Sequence, residues 1–267
     1  MTKLKNFALE HPFLFGLVLI FIYALLGTLT YPTHFIFPEN KIGQLYGDAL
    51  SKFIMFLVFL LVLWQFGWIK KSWITSLGNI KTWLIVAVIL VYKIFAELYA
   101  FTGDISIAFP NPPLAIINLV LPLQTSLVEE TMFRALALVA MVIAWGNTKQ
   151  GQIKAILLSS LFFGVIHMFN IITRPFGVVL FQAIIVTLPG ILYAALVLAR
   201  QSLWPAIILH WLSNAAVNIK LVGYENYQET FTMWIIFATT LIPLMAYSAY
   251  LISKLPESYQ YETAPVG

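Results

Sequence analysis

The sequence has no cysteine and very little charge. Without thiols there are no disulfides, no thiolate nucleophile and no Cys-based zinc site. Asp, Glu, Lys and Arg make up 10% of the 267 residues, against about 25% in soluble globular proteins. A chain that is also 61% hydrophobic, with a mean hydropathy of +0.89, falls outside the conventional soluble folds. The apolar runs do not alternate with polar residues, which selects helices over a membrane barrel. Nucleophile-elbow (GxSxG), dinucleotide (GxGxxG) and zincin (HExxH) patterns are all missing. The net charge of +4 and the pI near 9.2 come from basic residues scattered over short loops. They read as topology signals, with no nucleic-acid partner.

What remains is a polytopic, all-α membrane bundle. Eight spans are expected, at about Pro12–Leu29, Leu50–Trp68, Trp83–Phe101, Leu114–Gly146, Ile153–Ile172, Phe176–Ala199, Leu203–Leu221 and Phe231–Ile252. No repeat or linker divides the chain, so residues 1–267 read as a single integral membrane domain. An even number of spans puts both termini on one side. With that side cytoplasmic, nine Lys and Arg residues lie inside and four, Lys41, Lys52, Arg174 and Lys220, lie outside, as the positive-inside rule requires. The expected location is the cell membrane.

Three polar clusters interrupt the apolar runs. Glu129, Glu130 and Arg134 sit in the middle of the fourth span, where each charge costs roughly 2.5 to 3.5 kcal/mol on insertion scales and marks a functional site by default. Glu130 and Arg134, four apart, share a face and can pair. Glu129 is then left as a carboxylate in a low dielectric, suited to act as a general base. His167 lies in the fifth span, and His210 and Asn214, four apart, share a face of the seventh. Taken singly, each cluster also reads as interhelical glue or a buried network. Together they supply a base, an imidazole to orient water and two groups to hold an oxyanion, which is what amide hydrolysis requires. Lys93 and Glu97 read as a structural ion pair with Lys93 snorkelling to the interface. Trp68, Trp73, Trp83, Trp145 and Trp204 read as an aromatic belt. The FPNPP loop and Pro189-Gly190 read as helix termination and kinking.

EETMFR (Glu129 to Arg134), FGVIH (Phe163 to His167) and HWLSN (His210 to Asn214) fit EExxxR, FxxxH and HxxxN. In that order, each within an apolar run, they resemble the CAAX-protease and bacteriocin-processing (Abi) family of intramembrane endopeptidases, including CAAX prenyl protease 2-like members. The resemblance covers about Gln124 to Asn218 and implies a protease-like core at about 114–222 within eight membrane helices. By motif position Glu129 would activate water with His167, Glu130 would pair with Arg134, and His210 and Asn214 would bind the oxyanion. Substrates would be peptides or membrane proteins met at the lipid bilayer. The resemblance leaves zinc as an alternative, held by Glu129, His167 and His210. The metal-free version is preferred, because Asn214 is a poor zinc ligand and Arg134 would repel a cation. Two other functions fit the same residues: a catalytically silent scaffold or chaperone of this fold, and a proton-coupled transporter. The transporter would need inverted repeats, and the sequence has none.

Overall fold

The structure, a computed structural model, describes residues 2–37, 39–103, 112–221 and 230–259. Among these residues there is no strand. The helices are α1 (Thr2–Glu10), α2 (Pro12–Thr30), α3 (Lys41–Gln65), α4 (Ile80–Thr102), α5 (Pro112–Glu130), α6 (Val139–Trp145), α7 (Lys149–Ile166), α8 (Phe176–Arg200), α9 (Trp204–Leu221), α10 (Phe231–Thr240) and α11 (Ile242–Ser253). Capping residues fix several starts. The side chains of Asn40, Asn79, Thr148 and Thr230 each accept from the backbone N–H three residues on, the usual N-cap bond.

Among the described residues five helices are long and apolar enough to cross a membrane, and a bent pair would make a sixth. The count of eight was therefore approximate: the stretch Pro112–Trp145 and α9, which carry two of the three polar clusters, are not among the five, whereas Lys149–Ile172, with His167, is. The second expected span is α3, which starts at Lys41, earlier than its apolar run suggests, because Asn40 caps it there. Lys52, counted outside at the edge of the expected span, lies well within this helix. The last span is broken. It bends by 45° between α10 and α11, where Pro243 opens the second piece. By contrast α8 runs through Pro189 as one helix. The belt reading fails for Trp68, which is 1% exposed and packs edge-on against Phe66. Trp83 and Trp204 do sit at helix ends, donating to the loop carbonyls of Leu77 and Ile74. The FPNPP loop lies largely outside the described residues.

The central stretch is the core of the molecule. Every residue from Val128 to Val142 is buried, so this apolar helix faces protein on all sides, as a helix hydrophobic all round must. Between α5 and α6 the chain winds as a π-helix over Thr131–Leu138. Such wide turns are rare and occur most often at functional sites.

Around this core α7 packs on α8, α9 lies against α4 and α5, and α3 covers α5. Lipid tails are as apolar as the side chains here, so the helices gain by close packing. Gly164 shows it: a Cβ there would collide with Thr187 Oγ1 and the Ala183 carbonyl on α8. Gly164→Val is therefore expected to separate α7 from α8 and cost about 1 to 3 kcal/mol or more. Thermal unfolding in detergent should show the loss, while Gly27→Ala, with nothing within 4 Å of the added carbon, stays at the native midpoint.

Candidate active site

Arg134 dictates the arrangement. Its side chain is 0% exposed, and a guanidinium cannot shed its charge in a protein. Nη1 therefore donates to Glu130 Oε1 at 3.3 Å and Nη2 to the Gly190 carbonyl at 3.0 Å. The cation also lies 4.4 Å from the centre of the Phe163 ring, close enough for a cation–π contact. Gly190 has to be small: a Cβ there would come within 3.2 Å of Arg134 Nη2, Phe163 and Ser160. The expected Glu130–Arg134 pair is formed.

The same Glu130 oxygen accepts from His210 Nδ1 at 2.9 Å. On the other side of the ring, His210 Nε2 stands 3.8 Å from Glu129 Oε2. The adjacent glutamates of α5 thus converge on one imidazole of α9. Tyr193 of α8 stacks on that ring, 5.7 Å away and 18° from parallel, which holds its plane.

His167 sits where α7 ends and a 3₁₀ turn, His167–Ile172, begins. Its Nδ1 lies 2.9 Å from the Phe163 carbonyl. A carbonyl only accepts, so Nδ1 carries a proton, and in the neutral ring that leaves Nε2 as the acceptor. Phe163 stands between the two histidines, its ring 5.3 Å from His167 and 5.5 Å from His210. The three motifs therefore meet.

They meet at a cavity of about 290 Å³. Phe163, His167, His210 and Asn214 line it; Glu129, 6% exposed, stands at its margin, with Oε2 3.8 Å from the Nε2 of the lining His210. Other lining residues were not singled out from the sequence. Lys52 of α3 reaches the cavity with Nζ 3.5 Å from Tyr23 OH. Gln182 of α8 accepts from Asn170 at 3.0 Å, and Tyr193 lines the wall beside His210. The available signal for Lys52 was its place inside the expected span, which begins at Leu50.

Lys93 corrects an expectation. It is 2% exposed and does not snorkel. Instead Nζ pairs with Glu97 and donates to Ser213 Oγ at 3.0 Å, and both members of the pair line the cavity. Burying the ammonium between α4 and α9 keeps it paired, which exposing it to lipid would not.

Among the described residues no group of three or more His, Cys, Asp or Glu side chains is placed to hold a metal ion. His167 and His210 have Nδ1 committed to a carbonyl and a carboxylate, an arrangement that also suits metal ligation through Nε2, while the buried Arg134 cation lies beside the donor set.

Residues 111–216 match the family model of Rce1-like type II CAAX prenyl endopeptidases, and this segment contains all three motifs. The match agrees with the family resemblance read from the motifs and points to CAAX-protease-type endopeptidase activity in a multi-pass membrane protein. No curated protein and no solved structure matches the chain.

Removing one partner of a fully buried ion pair leaves the other charge uncompensated, typically at about 3 to 5 kcal/mol. Arg134→Met should lose about that much in unfolding free energy in detergent. The double variant Glu130→Gln/Arg134→Met should recover a large part of it. Additive losses in the two single variants and the double would show instead that the charges do not depend on each other.

Proposed function

We propose that the protein is an intramembrane endopeptidase that hydrolyses peptide bonds in membrane-associated or small peptide substrates. The observation that carries this reading is the convergence of Glu129 and Glu130 on His210, with His167 across Phe163, beside one cavity. The family match supports the same class of reaction.

Glu129 is the general base. It takes a proton from a water, whose oxygen attacks the substrate carbonyl carbon. His167, with its proton fixed on Nδ1, accepts the water's second O–H at Nε2 and so orients the attack. Charge then develops on the carbonyl oxygen. His210, held in place through Nδ1 by Glu130, and the Asn214 amide donate to that oxygen. When the intermediate collapses the C–N bond breaks. The proton held by Glu129 passes to the leaving amine, which leaves a carboxylic acid and an amine as products. Arg134 holds Glu130, Glu130 holds His210, and neither touches the substrate. No step passes through a metal. Both termini lie on the cytoplasmic side, and the substrates are peptides or membrane proteins met at the bilayer.

The test compares new peptide termini in membranes and medium from cells with the native protein, a deletion, or Glu129→Gln at equal expression. Termini made by the native protein should vanish in the deletion and fall at least about 100-fold in Glu129→Gln, the usual scale for loss of a general base. Adding 1,10-phenanthroline to purified protein should leave the rate unchanged. A phenotype of the deletion that Glu129→Gln does not share would replace the peptidase with a silent scaffold, and loss of activity with the chelator would return the zinc reading.

A further inference from the structure

The cavity has a second wall, on the side of α4 and α10, that the hydrolytic groups do not use. Glu97 and Phe101 of α4 and Trp234 and Phe237 of α10 line it. The three rings touch one another: Phe101 lies 5.0 Å from Trp234 and 5.4 Å from Phe237, and Trp234 lies 5.8 Å from Phe237. Lys93, one turn before Glu97, has its ammonium 5.9 Å from the Phe237 ring. Glu97 and Trp234 are each 4% exposed.

On this wall two polar atoms have no partner. Trp234 Nε1 is a buried donor without an acceptor, and Glu97 Oε2 a buried acceptor without a donor. Buried polar atoms are nearly always paired, because an unmade bond costs more than a made one gains. The other Glu97 oxygen is taken by Lys93, which leaves Oε2 uncommitted. An aromatic cluster bearing one donor and one acceptor complements a secondary amide beside an apolar side chain. The amide carbonyl accepts from Trp234 and its N–H donates to Glu97.

We infer that the wall formed by Glu97, Phe101, Trp234 and Phe237 is a substrate subsite that grips one backbone amide of a peptide and seats the adjoining apolar side chain among the rings. The inference rests on the reading that the cavity takes peptides, and adds to it which substrate atoms are held away from the scissile bond. Binding here is separable from cleavage. The subsite favours an apolar residue flanked by an unsubstituted N–H, so a proline or an N-methylated residue at that position is excluded.

The experiment measures the Kd of N-acetyl-Leu-Leu-Leu-N-methylamide by calorimetry on detergent-solubilised full-length Glu129→Gln protein. It is repeated with analogues N-methylated at one leucine at a time. Trp234→Phe in the same background removes the donor and keeps the ring. The expected result is about a tenfold weaker Kd for Trp234→Phe, the scale of one lost buried hydrogen bond, and a similar loss for a single one of the analogues. Three results overturn the subsite: no binding by the parent protein, equal binding of all analogues, or a Trp234→Phe protein with a higher Tm and unchanged Kd. The last would mean that the indole N–H is a packing defect. Failure of the hydrolytic reading looks different: peptide binds as expected here, yet no termini depend on Glu129.

Discussion

A guanidinium sealed from water sets the terms for the centre of this protein. Arg134 cannot lose its charge, so the surrounding helices must supply a carboxylate, a carbonyl and ring faces to it, and they do so from α5, α7 and α8. Each of those groups has a second duty. Glu130 also holds His210, Gly190 lets α8 come close, and Phe163 separates the two imidazoles. The charge that is most costly to bury is thereby the one that fixes where the two histidines and the glutamates stand.

The polar clusters that the fold brings together were legible because membranes simplify the problem. In a chain this apolar, a charge or an imidazole in the middle of a run stands out, and the i,i+4 spacing of Glu130 with Arg134 is a statement about one helix that geometry confirms. Partners on different helices were not legible. The sequence reading joined Glu129 to His167 and His210 to Asn214; that the folded chain also brings both glutamates to His210 was not foreseen. Nothing within α5 or α9 alone announces a bond that spans 80 residues. The π-helical winding after Glu130 was equally hidden, since it arises from how that segment packs.

Two lysines show the limit from another side. Lys52 and Lys93 were placed by rules for lipid-facing or loop residues, and both face the interior cavity instead. Those rules describe a single helix in a bilayer. Once helices assemble, a cavity between them offers a cation better partners than the interface does: Tyr23 for Lys52, and Glu97 and Ser213 for Lys93.

The bond from His167 to the Phe163 carbonyl links fold and chemistry at the smallest scale. It closes on the carbonyl four residues back, the same one a helical N–H would seek, at the point where α7 stops being α-helical. Three residues between phenylalanine and histidine therefore do more than place a ring. They write a protonation state into the main chain, so that the last turn of a helix acts as a fixed bookmark for one hydrogen atom, and unwinding that turn would erase the tautomer along with the position.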